Sequence, residues 1–480
     1  MAGQNRTAAK KEPDSVQQQK VQSLGWQEAH DELGEVRLPP NVEYGPHTWR
    51  ALRSLAVSDQ RTPDILIEAL LHVKRACARA NRETGALDTA VAQTIEEAIE
   101  KILADRTNDP ARWKRRFPLD FWQSGAGTNL NMNVNEVVAR VANGTTPNGV
   151  IRPHDHVNRS QSSNSVFPTA TRAALLIESR TLLHELHLAS KSLTLRAKGW
   201  NELLKPARTH LQDAVPTTFG REVNAWAQAL ERCRHWIGES RTELQKIALG
   251  AGAAGTGLCV PEHFGERACE ALREEIHEPG LTDHSEQGVD YLQSSFAPAL
   301  YHSQLELLAA ELHRISSDLR LLASGPHCGF GEIRLEAVHA GSSMMPGKRN
   351  PSIPELVSQI AFRIQGNHST VMLAFQNGQL DLNVMTPVLA TVALESTHLL
   401  AHGVRLLRSE VFETFEPIPS RMREFHRINT QKATALIPKY GHKRVGEWIA
   451  QALEAGVPVD DILPPAILEE AEREIERTMR

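Results

Sequence analysis

The chain has 480 residues, 23% of them charged and 41% hydrophobic, with a formal net charge of −5 at pH 7. Acidic and basic residues are mixed along it, so no basic stripe argues for nucleic acid and no block of like charge for a membrane surface; a small diffusing partner fits better. The five cysteines (Cys77, Cys233, Cys259, Cys269, Cys328) are widely spaced and form no C-x-x-C pair, which disfavours a disulfide framework or a zinc ribbon and fits the reducing cytoplasm.

Residues 1–30 are rich in Gln, Lys, Ser and Ala and lack an apolar h-region, while Glu12 and Asp14 count against a transit peptide, so a disordered extension is expected. No later stretch reaches the roughly 18 uninterrupted apolar residues of a membrane span. An N-terminal domain is predicted over 31–162. It carries Gln123-Ser124-Gly125-Ala126-Gly127-Thr128 with Asn131-Met132-Asn133 behind it, and across its end runs Ser160-Gln161-Ser162-Ser163-Asn164, followed by Phe167-Pro168-Thr169. Taken alone, Ser162, Ser163 and Asn164 could form a turn or an N-cap. His154-Asp155-His156 could ligate a metal, but no third or fourth ligand stands at a recognisable spacing, and a structural or anion-contacting role fits better.

Helical periodicity dominates 163–418. Ala/Leu-rich stretches run over 170–195, 223–249 and 356–407, and Tyr301, Leu305, Leu308, Leu312, Ile315, Leu319 and Leu322 alternate spacings of four and three. β-Branched alternation is nearly absent and aromatics are 5%. The expected fold is all-α, a long central helical bundle with smaller N- and C-terminal helical domains, the last over 419–480 beyond Pro417 and Pro419. Long rods with few aromatics bury their stripes best in an oligomer. Gly250 to Gly255 satisfies G-x-G-x-x-G, yet it follows a helical stretch (243–249) and not a strand, so neither NAD nor any other cofactor is expected.

Two further segments stand out, Arg208-Thr209-His210-Leu211-Gln212-Asp213-Ala214 and Gly341-Ser342-Ser343-Met344-Met345-Pro346-Gly347-Lys348-Arg349-Asn350-Pro351. In the second, Gly341 and Gly347 permit positive φ while Pro346 and Pro351 remove donors, so it is neither helix nor strand. It reads as a shaped, mobile loop that presents Ser342, Ser343, Lys348 and Asn350 to a small carboxylate.

The four segments together resemble the fumarase/aspartase superfamily of lyases, whose signature G-S-S-x-M-P-x-K-x-N-P the 341–351 loop nearly repeats. The resemblance implies that Thr128 binds a substrate carboxylate and that Ser162, Ser163 and Asn164 bind a carboxylate or the leaving group. It implies that Thr209 and His210 line the same pocket, with His210 catalytic and hydrogen-bonded to Glu355. It further implies Ser342 as the base, Ser343 as a backbone contact, and Lys348 and Asn350 as a carboxylate clamp. The chemistry agrees: removing a proton beside a carboxylate places a second negative charge on it, which needs preorganised cations and donors. A serine is a base only where donors stabilise its alkoxide and a closing loop excludes water.

The resemblance also implies no metal, a small dicarboxylate as the binding partner, and a homotetramer with a twenty-helix core in which segments of three subunits meet. The shared reaction is anti elimination from a succinyl skeleton to fumarate; family members differ in leaving group. Gly125-Ala126-Gly127-Thr128, Asp213-Ala214-Val215-Pro216, Ile353-Pro354-Glu355 and Gly378 to Met385 look like aspartase, whereas Ser162-Ser163-Asn164 and Pro346-Gly347-Lys348 look like fumarase. The balance makes aspartate ammonia-lyase the expectation, class II fumarate hydratase the alternative and a non-catalytic structural relative the third. Two positions depart from the family pattern: Arg152-Pro153-His154-Asp155 replaces H-P-N-D, and Ser165 replaces an Asp, removing a charge expected near the pocket.

Overall fold

A computed structural model describes residues 27–144 and 151–479. It is mostly helical with a few short strands, and it divides into two compact units: residues up to Ala174 with Gln245–Ser295 and Ala374–Thr391, and Leu175–Leu244 with Phe296–Leu373 and Val392–Arg480. The expected extension lies outside the described residues up to residue 26, and from Gln27 the chain is a strand, Gln27–Asp31, paired antiparallel with Gly34–Leu38. Among the described residues no helix is long and apolar enough to cross a membrane.

The first unit is built around helix Thr128–Ala142, whose residues from Asn129 to Ala139 are all buried. A helix buried on every side must find a partner for each polar side chain it carries. Asn129 meets His47 Nε2 at 2.8 Å, Asn133 donates to the Arg116 carbonyl at 2.9 Å, and Asn131 and Asn135 both donate to Asn158 Oδ1, at 3.2 and 3.1 Å. Glu136 accepts from the backbone N–H groups of Gly45, His47 and Thr48, at 2.9, 2.8 and 3.2 Å, and from Thr48 Oγ1 at 2.6 Å. It thus caps helix Pro46–Ser54 from another element, supplying what the N-cap residue, Gly45, has no side chain to give. A Cβ on Gly45 would stand 2.6 Å from Glu136 Oε1, so a side chain there would push the capping carboxylate off these amides.

The second unit is made of long helices. The stripe from Tyr301 to Leu322 on helix Phe296–Leu322 is 5% exposed or less at all seven positions and packs on helix Phe219–Leu244. Two boundaries differ from the sequence reading. The helix expected to run to residue 249 ends at Leu244, and the stretch 356–407 is two helices, Ser352–Phe375 and Thr386–Leu407. At the break, Asn383 Nδ2 donates to the Ala374 carbonyl while its Oδ1 accepts from Met385 N, tying off one helix and starting the next. The C-terminal helices Ile437–Ala455 and Pro465–Met479 close a small core around Trp448, Val459 and Ala471.

A hairpin the helical reading did not foresee joins Leu204–Thr209 to Gln212–Thr218, with Thr209 opposite Gln212. Its two-residue turn is His210-Leu211, with φ of 57° and 58°. Two consecutive left-handed residues make a type I′ turn, which favours Asn-Gly; a leucine there is strained. The fully buried Glu332 anchors the strand below, 2.5 Å from Lys205 Nζ and 2.7 Å from Arg208.

Two stability outcomes follow from these contacts. Glu136→Ala leaves the Gly45, His47 and Thr48 amides without their acceptor and should lower stability by about 3 kcal/mol, seen as a fall in the thermal midpoint. Leu211→Gly relieves a left-handed leucine that is 64% exposed and should raise stability by about 1 kcal/mol in the same measurement.

Candidate active site

In the first unit the polar segments meet through two left-handed residues. Ala126 (φ 58°) and Gly127 (φ 66°) turn the chain sharply into helix Thr128–Ala142. A Cβ on Gly127 would strike the Phe167 ring at 2.1 Å, and one on Gly125 would stand 2.6 Å from Val384 Cβ. This close approach sets Thr128 Oγ1 3.1 Å from Ser163 Oγ. Each residue opens a helix, Thr128–Ala142 and Ser163–Gly199, so two hydroxyls and two helix N-termini gather in one place, a setting made for a carboxylate. Ser162 Oγ accepts from Asn164 N at 3.2 Å, and Asn164 Nδ2 donates to the Ala253 carbonyl at 2.8 Å. Asn164 therefore ties the glycine-rich turn to the serine segment.

Ser165 is fully buried, and its Oγ donates to the Ser162 carbonyl at 3.3 Å. Residues 250–255 follow a two-residue strand, Lys246–Ile247, and a short 3-10 turn, Leu249–Ala251, with no α-helix until Phe264. Their glycines serve close packing: a Cβ on Gly255 would stand 2.3 Å from Val289 N. Arg152 and Asp155 form an exposed pair at 3.3 Å, and His156 Nδ1 accepts from Arg152 N at 2.9 Å.

In the second unit, residues 335–351 contain neither helix nor strand. Ser342 is half-buried, and its Oγ accepts two backbone N–H groups, from Met344 at 3.2 Å and Met345 at 2.9 Å. Two amides on one hydroxyl oxygen favour its deprotonated form, as a base requires. Lys348 Nζ donates to Asn350 Oδ1 at 2.9 Å, and Asn350 Nδ2 donates to the Gly341 carbonyl at 2.6 Å, clasping the loop at its base. Gly341 tolerates no side chain, since a Cβ would stand 2.2 Å from the Lys348 carbonyl, and Gly347 is left-handed at φ 81°. Ser343 and Lys348 are exposed.

Thr209 and His210 are exposed at the hairpin tip, and Glu355 lies in the first turn of helix Ser352–Phe375. Among the described residues no hydrogen bond joins His210 to Glu355 or to Ser342. Three residues of this neighbourhood escaped the sequence reading: Glu332, which holds the hairpin, and Met344 and Met345, whose side chains are incidental to the amides they offer. Only the last two had a signal, a Ser followed by two residues in a turn-forming run.

A protein-family model described as "Lyase" matches residues 38–366. Over 441 residues the chain is 37% identical to a fumarate hydratase class II of Pseudomonas aeruginosa, covering 89% of this chain and 91% of that protein. It is 35% identical over 437 residues to the fumarate hydratase class II of Bacillus subtilis, covering 90% and 93%. Among solved structures it is similar to a class II fumarase from Schistosoma mansoni, with a TM-score of 0.89, 27% identity and 94% and 98% coverage. It is also similar to a fumarate lyase:delta crystallin from Brucella melitensis bound to cobalt, with a TM-score of 0.88, 33% identity and 94% and 99% coverage. These relatives carry the name of the alternative, fumarate hydratase, and not that of the expected aspartate ammonia-lyase. With the helical architecture, the serine loop and this similarity across nine-tenths of its length, the chain belongs to the fumarase/aspartase superfamily of lyases.

Proposed function

We propose that the protein interconverts L-malate and fumarate, as a class II fumarate hydratase. The observation that carries the reading is the pair of amides on Ser342 Oγ, set in a loop that also holds Lys348 and Asn350. Ser342 takes the proton from malate C3, and the electron pair moves onto the adjoining carboxylate, whose second negative charge Lys348 and Asn350 stabilise. The C2–O bond then breaks as His210 protonates the departing hydroxyl, giving fumarate and water. Thr128, Ser162, Ser163 and Thr209 bind the carboxylates, Ser343 contributes its backbone, and Asn164 holds the serine segment in place.

The choice of water as leaving group draws support from the relatives named fumarate hydratase and from the location of the aspartase-like motifs. Ala126 is 5% exposed and its amide donates to the Val384 carbonyl at 3.0 Å. Two of the segments that looked like aspartase are therefore the two sides of one packing contact, and they bear on helix entry more than on the leaving group.

Fumarate's ultraviolet absorption tests this directly. The purified protein should produce fumarate from L-malate and none from L-aspartate; the reverse result makes it an ammonia-lyase, and silence with both makes it a non-catalytic relative. Ser342→Ala should lower kcat by at least about 10³-fold with the helical circular-dichroism signal unchanged.

A homotetramer with shared sites accords with the exposed His210, which lacks a Glu355 bond within the chain. It accords as well with large apolar residues left exposed on the rods: Leu307 at 58%, Phe362 at 55% and Leu373 at 59%. Mixing inactive Ser342→Ala and His210→Asn proteins, after dissociation and reassociation, should regain part of the wild-type turnover. A monomer by light scattering, or mixed assemblies with no regained activity, would count against shared sites.

A further inference from the structure

Beneath the serine segment lies a buried cation with no anionic partner. Lys74, on helix Asp64–Glu83, is 0% exposed, and its ammonium donates to Asn158 Oδ1 and Gln161 Oε1, each at 2.9 Å. Both acceptors belong to the short run that ends in Ser162 and Ser163. Asn158 Nδ2 in turn donates to the Gln161 carbonyl at 3.2 Å, and Gln161 Nε2 to the Val157 and Arg159 carbonyls at 3.0 and 3.1 Å. The ammonium is thus the hub of the run from 157 to 161, which ends two residues before Ser163, the hydroxyl set 3.1 Å from Thr128 Oγ1.

Among the described residues no carboxylate comes within ion-pair distance of Lys74. Those on the elements around it are engaged elsewhere: Glu275 with His72, Arg75 and Arg79, Glu96 with Arg79 and Arg82, Glu68 with His72 and Arg106, Asp105 with Arg112 and Arg116, and Glu136 in its helix cap. Cys77, one turn along the same helix, has its thiol pushed up to about 12 by burial and is neutral. Arg159 and the Arg152–Asp155 pair are exposed. The Oδ1 atoms of Asn131 and Asn135, both buried, have no hydrogen-bond partner although their amides point at the same Asn158. The cluster is a charged, incompletely satisfied network, costly to the fold.

We propose that Lys74 is a positioning residue whose ammonium finds its counter-charge only when a dicarboxylate occupies the neighbouring Thr128–Ser163 group, so that substrate binding and protonation of Lys74 are linked. This rests on the reading of Thr128 and Ser163 as carboxylate contacts. Burial lowers the ammonium to about 7 in the unliganded protein. The folded value lies below the unfolded one, so the fold gains stability as pH rises from about 7 towards 10.5 and loses it as pH falls through about 7. A residue kept only for stability would not carry that penalty at neutral pH. A bound dianion raises the value again, so near pH 7.5 the protein takes up protons as it binds.

The test is calorimetric titration of the full chain with succinate, a four-carbon dicarboxylate that has nothing to eliminate, at pH 7.5 in HEPES and in Tris. The difference in heats between the two buffers reads out proton uptake. The wild type should take up about half a proton per site, and Lys74→Met should lose that uptake and bind about tenfold more weakly. Its KM for L-malate should rise about tenfold while kcat falls less than about threefold. Asn158→Asp, which gives the ammonium a permanent carboxylate, should also abolish the uptake, and it decides the matter if Lys74→Met fails to fold. Succinate binding with proton uptake unchanged by either substitution overturns the inference and leaves the functional reading standing; a wild type that binds no dicarboxylate overturns both.

Discussion

The constraint on which the first unit depends is the burial of helix Thr128–Ala142 on every face. A helix with one wet side can carry its polar residues outward; this one cannot, and its asparagines and Glu136 must each be matched from outside. The matching reaches in several directions at once. Glu136 fixes the start of helix Pro46–Ser54, Asn133 holds the Arg116 carbonyl, and Asn131 and Asn135 fasten the segment that leads into Ser162 and Ser163. The position of Thr128 is inherited from the same helix, because the left-handed turn before it leaves no room between Gly127 and Phe167.

The serine loop of the second unit works by a different principle. It has no regular hydrogen-bond ladder, so its shape comes from side chains closing on backbone: Asn350 on the Gly341 carbonyl, Lys348 on Asn350, and the Met344 and Met345 amides on Ser342. Such a loop is shaped locally, with Gly347 taking the one left-handed bend, while most of it lies exposed. The hairpin tip at His210 also holds an unfavourable backbone, with Glu332 braced between Lys205 and Arg208 beneath it. Both are segments whose local cost is met by the rigid elements that carry them.

Motif flavour pointed to aspartase while the relatives are named fumarate hydratase, and the count of motifs was weak for a structural reason. Counting aspartase-like and fumarase-like segments treats them as independent, yet Gly125-Ala126 and Val384 touch, and a change on one side of such a contact constrains the other. Ser165, read in the string of residues only as a lost charge, is fully buried with its hydroxyl on the Ser162 carbonyl.

By itself the sequence determined the class of the fold and the character of the chemistry. The stripe from Tyr301 to Leu322 needs only the 3.6-residue period to be read as a buried rod face, and the 341–351 loop needs only its glycines, prolines and convergent polar groups. Where a helix ends was less legible, because the break between Phe375 and Thr386 depends on Asn383 reaching back to a carbonyl nine residues away. The strands around His210 were illegible for a related reason: a hairpin braced by Glu332 from 124 residues further on leaves no local alternation of apolar and polar positions. Tertiary structure alone decided that Lys74 is buried without a counter-charge. Its neighbours in sequence are those of an ordinary amphipathic helix, and only the arrival of Asn158 and Gln161 from a distant segment shows what the ammonium holds.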